Sequence, residues 1–232
     1  MCGRYTNTKR PEEINDRLGI PIHAAEAAGT GRYNIAPTEP VLTIVLRDGK
    51  PRAQLLRWGL VPHWATDLRG ASKMINARVE TVATRPAYRA LLPTAQRRAL
   101  MIADGYFEWL KPEHRSEPRQ PFHFQVDGGE LFAFAALWTP ARIAGERVES
   151  VVMLTCGVAG NPVAAAIHDR MPVILADREA QQAWLDPALG AGDVLELCEP
   201  LAPSRLSAHP ANPAVNKAGA AVEGPELLQA PA

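Results

Sequence analysis

The sequence predicts an α+β protein in which mixed, mostly antiparallel β-sheets form a barrel-like core with short flanking helices. Three observations carry this prediction. Many short runs of β-branched and aromatic residues are separated by Gly, Pro and Asp turns, as is typical of antiparallel strands. The helical patterns are few and short. No segment repeats another, and 47% of the 232 residues are hydrophobic, enough to fill a substantial core.

The predicted strands end at residues that favour turns. A hairpin is expected at Asp48-Gly49 and a second at Asp127-Gly128-Gly129. The run from Arg97 to Leu110 reads as a buried strand with a break at Asp104-Gly105. Further extended segments are expected in VESVVMLTCGV, from about Met171 onward, and over Met74 to Thr84, where Asn76, Arg78 and Glu80 would share one face.

Helices are predicted where a start signal precedes an amphipathic run. Pro11 to Ile20 has Pro at its start, acids in its first turn and Gly19 near its end. A second helix is expected over Pro86 to Leu92, and a third begins near Asp177. His23 to Gly31 and Lys111 to Gln120 are expected to be loops, and the last residues are predicted to form a weakly ordered tail.

Composition excludes several classes of protein. The 25 basic and 25 acidic residues balance, so any nucleic-acid contact must come from a local groove. The 3 cysteines (Cys2, Cys156 and Cys198) are widely spaced and lack CxxC pairing, which argues against a disulfide framework and a structural zinc site. No metal or cofactor is therefore expected. No apolar run of about 18 residues indicates a membrane span, and no secretory signal is visible, so a cytoplasmic protein is predicted.

The opening MCGRYT places Cys2 directly after the initiator methionine. Once Met1 is removed, one residue carries both a free α-amine and a thiol. Their reference pKa values of about 7.7–8.0 and about 8.5 make both partly nucleophilic near neutral pH. Cys2 could equally be a small buried hydrophobic residue, because free cysteines often are.

Three further polar residues lie in apolar or turn contexts: Asn76 in INARVET, Glu108 in ADGYFEWL and His168 in AIHDRMP. A carboxyl group between aromatic residues is desolvated, which raises its pKa toward the range useful for proton transfer. Histidine can serve a second proton-transfer step, and Asn offers both a donor and an acceptor. Around an amino-terminal thiol, this set suits attack on a carbonyl carbon.

Seven motifs in order resemble those of the SRAP family of abasic-site processing proteins: MCGRYT, RYNIAP, RWGLVPHW, INARVET, ADGYFEW, FAFAALW and IHDRMPVIL. The similarity covers Met1 to about Lys217, which implies one SRAP domain over 1–217 and a tail over 218–232. It also implies a monomer that senses abasic sites in single-stranded DNA, in association with the nucleoid during DNA damage. Cys2 would form a thiazolidine with the C1′ aldehyde of the ring-opened sugar, with Met1 self-cleavage and an AP-lyase side reaction as further family activities.

The resemblance also implies roles for individual residues. Asn76 would orient the sugar or the amine, Glu108 would shuttle protons at the α-amine, and His168 would assist opening of the deoxyribose ring. The residues expected at the DNA are arginines for phosphates, an amide, and tryptophans for stacking on bases: Arg4, Asn34, Trp58, Trp64, Arg78 and Arg170.

Three other functions remain open on the sequence. Glutamine amidotransferases with an amino-terminal nucleophile also begin Met-Cys-Gly, and in that case Cys2 would attack a glutamine amide. The chain could instead be a non-covalent single-stranded DNA-binding module in which Cys2 is structural. A metal hydrolase ranks third, because Cys2, His168 and the scattered acids lack ligand spacing.

Overall fold

Strands dominate the structure, and the helices between them are short. The computed structural model describes residues 2–112, 119–218 and 222–231. The strands are β1 (Arg4–Asn7), β2 (Arg32–Ile35), β3 (Pro40–Arg47), β4 (Lys50–Trp58), β5 (Asn76–Arg78), β6 (Arg98–Ala103), β7 (Gly105–Leu110), β8 (Gln120–Val126), β9 (Phe132–Ile143), β10 (Glu146–Gly157), β11 (Arg170–Pro172), β12 (Ile174–Leu175) and β13 (Leu206–Pro210). The α-helices are α1 (Pro11–Leu18), α2 (Val79–Val82), α3 (Pro162–Ala165), α4 (Arg178–Leu185) and α5 (Ala191–Glu196).

A closed barrel forms the centre of the molecule. Around the barrel, β10 pairs with β4, β4 with β3, β3 with β6, β6 with β9, and β9 with β10 again. The β10–β4 pair is parallel and the other four pairs are antiparallel. The α+β class and the barrel-like core predicted from the sequence are therefore confirmed.

A second, antiparallel sheet packs on this barrel in the order β13-β8-β7-β1-β2. Aromatic contacts join the two layers. The ring of Tyr5 on β1 lies 5.4 Å from that of Trp58 and 5.6 Å from that of Phe134, both edge-on. The ring of Tyr106 on β7 lies 6.1 Å from that of Phe134. These four side chains belong to one buried cluster, so the amino-terminal strand is part of the main core.

Local sequence signals account for several elements. Asp48 and Gly49 both have positive φ (51° and 72°), the conformation of a two-residue hairpin turn that matches strand twist. The predicted hairpin is confirmed, with Pro40 opposite Arg57 and Arg47 opposite Lys50. Helix α1 ends at Gly19 in the left-handed conformation (φ 66°), close to the expected boundary.

Other segments differ from the predictions. The strands on either side of Asp127-Gly128-Gly129 do not form a hairpin, because β8 pairs with β7 and β13 whereas β9 belongs to the barrel. The expected helix at Pro86–Leu92 is a series of hydrogen-bonded turns. The extended segment after Met74 stops at Arg78, where α2 begins, so Glu80 lies on a helix and not on the strand.

The end of the chain contacts the domain through Leu227. Leu227 is 2% exposed, its N–H donates to the Gly224 carbonyl oxygen, and its own carbonyl oxygen accepts the N–H of Asn212. The predicted weak order of the tail stays a prediction. Residues 219–221 and 232, and residues 113–118 of the expected loop at Lys111–Gln120, lie outside the described residues.

Two searches of the described ranges were negative. No helix there is long and apolar enough to cross a membrane. No group of three or more His, Cys, Asp or Glu side chains there is arranged to hold a metal ion.

Candidate functional site

Cys2 lies inside the protein, two residues before β1 begins. Its side chain is 1% exposed, and its thiol donates to the carbonyl oxygen of Arg4 at 3.4 Å. Burial raises the pKa of this thiol well above its usual value, and the nearby charge of Glu108 raises it further. The free Cys2 thiol is therefore protonated near neutral pH. Met1, whose removal the sequence resemblance implies, lies outside the described residues.

Asn76 holds the main chain of Cys2. Its side-chain Nδ2 donates to the Cys2 carbonyl oxygen at 2.7 Å. Strand β5 positions this amide by pairing parallel with β10, where Asn76 lies opposite Met153. The amide oxygen Oδ1 is buried and has no hydrogen-bond partner among the described residues. Asn76 therefore fixes the main chain of Cys2 and keeps a side-chain acceptor available beside it.

Glu108 faces the same interior from β7. Arg4 pairs with Phe107 and Tyr5 with Tyr106, so the antiparallel register runs the amino terminus alongside Glu108. The Glu108 side chain is 2% exposed, and burial raises the pKa of its carboxyl from 4.5 to about 7. At neutral pH this carboxyl is close to half protonated, so it can both accept and donate a proton.

His168 lies between α3 and β11, with 18% of its side chain exposed. Its Nδ1 accepts the backbone N–H of Arg170 at 3.0 Å and lies 2.9 Å from Asp169 Oδ1. The Arg170 N–H requires an unprotonated Nδ1, whereas the Asp169 carboxylate favours a protonated one. Burial is the largest effect on the ring and lowers the pKa of His168, so the neutral ring, with its proton on Nε2, is the form at neutral pH. The negative charge of Asp169 also raises the pKa of Glu108, so the segment of His168 and Asp169 lies near the Glu108 carboxyl.

Two of the predicted phosphate-binding arginines lie two residues along the chain from Cys2 and from Asn76, respectively. Arg4 is half-buried, and its Nη1 donates to the Gly3 carbonyl oxygen at 2.8 Å, while its buried Nε has no hydrogen-bond partner among the described residues. Arg78 is exposed, two residues after Asn76 on β5. Side chains two residues apart on a strand lie on one face, so Arg78 is on the same face of β5 as Asn76.

Arg170 does not present a free guanidinium. Its Nη1 and Nη2 donate to the two carboxylate oxygens of Glu80 at 2.8 and 2.9 Å, and Nη2 also donates to the Thr155 carbonyl oxygen at 2.6 Å. These contacts tie α2 to β10. The expectation that Arg170 binds phosphate stays a prediction, and the structure places its side chain, 11% exposed, in an ion pair with Glu80.

The residues expected along the DNA path divide by exposure. Trp64 is 53% exposed and stands edge-on to His63, which suits stacking on a base. Trp58 is fully buried and donates its indole N–H to the Ile75 carbonyl oxygen at 3.0 Å. Asn34 is 1% exposed, and its amide donates to the carbonyl oxygens of Lys217 and Val222. The expectation that Trp58 and Asn34 line the path is corrected, because neither side chain reaches the surface.

Asp104 supports the site in a way that the sequence analysis missed. Its carboxylate accepts the Thr6 hydroxyl at 2.6 Å, the Thr8 N–H at 2.8 Å and the Thr8 hydroxyl. Asp104 is 5% exposed and stands where the chain leaves the barrel (β6) and enters the second sheet (β7). It therefore fixes β1, and with it Cys2, to both layers. The only signal in the sequence was the Asp-Gly break, which indicates a turn and not a clamp.

Comparison with known proteins identifies the family. The family model described as SOS response associated peptidase (SRAP) matches residues 1–218. The chain is 33% identical to the abasic site processing protein YoqW of Bacillus subtilis, with 99% of each chain covered. It is 31% identical to YedK of Escherichia coli, again with 99% of each covered. For HMCES of Xenopus tropicalis the identity is 29%, with 93% of this chain and 75% of that one covered.

Solved structures share the fold. A protein of Bacteroides thetaiotaomicron superposes with a TM-score of 0.86 at 22% identity, with both chains covered completely. A protein of Bordetella bronchiseptica superposes with a TM-score of 0.75 at 27% identity, with 91% of this chain and 100% of that one covered. The family model, the relatives of similar length and the shared architecture agree, and the chain therefore belongs to the SRAP family.

Proposed function

We propose that this protein recognises abasic sites in single-stranded DNA and links itself to them covalently through Cys2. One observation carries the proposal: a cysteine at the second position is buried beside Glu108, whose pKa is about 7, while Asn76 holds its carbonyl oxygen at 2.7 Å. The names of the relatives, abasic site processing proteins, support the same substrate.

The chemistry requires the α-amine that removal of Met1 would expose. This amine attacks the C1′ aldehyde of the ring-opened sugar, and loss of water leaves an imine. The Cys2 sulfur then bonds to the imine carbon, and the thiol proton ends on the ring nitrogen, which closes a five-membered thiazolidine. Amine and thiol belong to one residue, so the addition of the thiol is intramolecular once the imine has formed.

The electrostatics favour attack by the amine before the thiol. The raised pKa of the Cys2 thiol keeps it protonated, so it is a poor nucleophile until a base accepts its proton. Glu108 can remove a proton from the amine or supply one to the departing water, because its pKa of about 7 populates both forms. The neutral His168 would donate from Nε2 to the sugar oxygen as the ring opens.

Contacts outside the reacting atoms would bring the lesion to Cys2. Arg4 and Arg78 would hold the flanking phosphates, and Trp64 would stack on a neighbouring base. Every group in this scheme comes from one chain, so we propose that a monomer acts. Self-cleavage of Met1 and an AP-lyase reaction through the same imine are further activities that this arrangement would permit.

A crosslinking experiment tests the proposal. Purified protein lacking Met1, verified by intact mass, is incubated with single-stranded DNA containing one abasic site and analysed by denaturing electrophoresis. We expect a heat-stable adduct from the wild type, none from Cys2→Ala, and an unchanged yield from Cys156→Ala, which removes another buried free cysteine. The same stable adduct from Cys2→Ala would refute the thiazolidine mechanism.

A further inference from the structure

A β-bulge on the edge strand β2 directs two consecutive N–H groups to one carboxylate. Tyr5 lies opposite Ile35 and Asn7 lies opposite Arg32, so Tyr33 and Asn34 together face the single residue Thr6. Strand β2 is at the edge of its sheet, where unpaired N–H groups are available to other partners. Two consecutive N–H groups that point to one place form a concave site for an anion.

The chain's own Glu223 occupies this site. Its Oε2 accepts the N–H of Tyr33 at 2.6 Å and that of Asn34 at 3.1 Å, and its Oε1 accepts from Arg32 Nε at 2.8 Å. The side chains of Arg32 and Glu223 are 22% and 24% exposed, so this carboxylate is partly withdrawn from water. Three donors on one carboxylate form the pattern that proteins also use for phosphate.

The site is connected to the arginine beside the reactive cysteine. Glu39 accepts from Arg32 Nη2 at 2.7 Å, and its charge also acts on Arg4. Strand β1 runs from Arg4 to Asn7, opposite Arg32, which is about 10 Å at the usual rise per residue. Two arginines therefore lie along one strand pair: Arg4 is next to Cys2, and Arg32 is paired with both Glu39 and Glu223.

We propose that the donors of Arg32, Tyr33 and Asn34 bind a phosphate of single-stranded DNA, and that Glu223 is an internal competitor for this position. The inference rests on the proposed function for the identity of the ligand. When DNA binds, the phosphate replaces the Glu223 carboxylate and residues 222–231 move away. The segment then regulates access to the DNA path, and its movement removes the Val222 acceptor from the amide of Asn34, which keeps the Lys217 carbonyl oxygen.

Non-covalent binding to an undamaged single strand tests this inference without any covalent step. Fluorescence anisotropy of a labelled oligothymidylate is measured at about 50 to about 200 mM salt for the wild type, Glu223→Gln and Glu226→Gln. Glu226 is exposed on the same segment, so its substitution makes the same charge change away from the bulge. The phosphate contact forms in both proteins once DNA is bound, so Glu223→Gln should raise log K without changing its slope against log salt.

We expect Glu223→Gln to bind about threefold more tightly than the wild type throughout this salt range, because the variant lacks the competing ion pair. Glu226→Gln should keep the wild-type affinity, and adding Arg32→Gln to Glu223→Gln should abolish the gain. In the wild type, hydrogen exchange of the amides in 222–231 should accelerate when DNA is saturating. Identical binding by the two glutamine variants, or unchanged exchange in that segment, would overturn the inference.

The outcomes separate this inference from the proposed function. An adduct with abasic DNA but equal binding by both variants refutes only the competition by Glu223. Tighter binding by Glu223→Gln, with no adduct from any protein that retains Cys2, refutes only the covalent function. The exchange measurement uses the wild-type protein, so a folding defect in a variant does not decide the result.

Discussion

Replacing Glu108 by Gln should stabilise the protein at high pH while it slows the proposed reaction. Burial raises the pKa of this carboxyl from 4.5 to about 7, and a pKa difference of one corresponds to about 1.4 kcal/mol. The ionised carboxylate therefore costs the folded state about 3 kcal/mol. Because the pKa of the carboxyl is higher in the folded than in the unfolded state, its stabilising contribution is complete at a pH below the unfolded-state pKa. This contribution is lost as the pH rises through the folded-state pKa. Glutamine keeps the shape and carries no charge.

Urea unfolding at a series of pH values measures this effect. The free energy of unfolding of Glu108→Gln minus that of the wild type should increase by about 3 kcal/mol from about pH 4 to about pH 8, with most of the change between 4.5 and about 7. Glu226→Gln, at an exposed carboxyl, is the control and should follow the wild type. The rate of adduct formation by Glu108→Gln should fall by about 10²- to 10⁴-fold. Parallel pH profiles for wild type and Glu108→Gln would refute the assignment of Glu108 as a buried proton carrier.

Three further predictions concern the supports of the site. Asp104→Asn should lower the free energy of unfolding by about 2–3 kcal/mol in urea titrations, because hydrogen bonds to a buried charge weaken; an unchanged midpoint would contradict the clamp. Trp64→Ala should weaken single-strand binding by about 1–3 kcal/mol in anisotropy titrations and leave stability almost unchanged, whereas Trp58→Ala should cost about 3–5 kcal/mol of stability. Equal effects of these two on stability would contradict their different burial. Asn76→Ala should slow adduct formation about ten- to hundredfold in single-turnover gels, since Cys2 loses its positioning bond; an unchanged rate would argue against that role.

Local chemistry predicted turns from the sequence, but it did not predict which strands pair. Asp48-Gly49 specifies a two-residue turn, and the flanking strands are long enough to pair directly. Asp127-Gly128-Gly129 also forms a turn, yet β8 and β9 enter different sheets. Their partners are decided by packing of the second sheet on the barrel, and no short stretch of sequence carries that information. The same limit applies to Pro86–Leu92, where turns replace the expected helix.

The candidate site could likewise be predicted only in part from the sequence. Cys2 and Glu108 could be selected because their residue types are unusual in their contexts, and the structure brings both to one interior together with Asn76. Exposure could not be predicted, so Trp58 was grouped with Trp64 although only Trp64 reaches solvent. Contacts that depend on distant segments were also invisible. Glu223 reaches Arg32 across 191 positions of sequence, and no local pattern marks such a pair.

Strand β10 also limits how the length of this chain can vary. Met153 lies opposite Asn76 and Gly157 lies opposite Arg170. One continuous strand therefore fixes the positions of β5 and β11 relative to each other. Side chains alternate along a strand, and one inserted residue would turn every later side chain to the other face. We therefore expect insertions and deletions among relatives to accumulate in connections such as Lys111–Gln120, and the spacing from Met153 to Gly157 to stay constant. An alignment of family members, scored only for gap positions, would check this expectation.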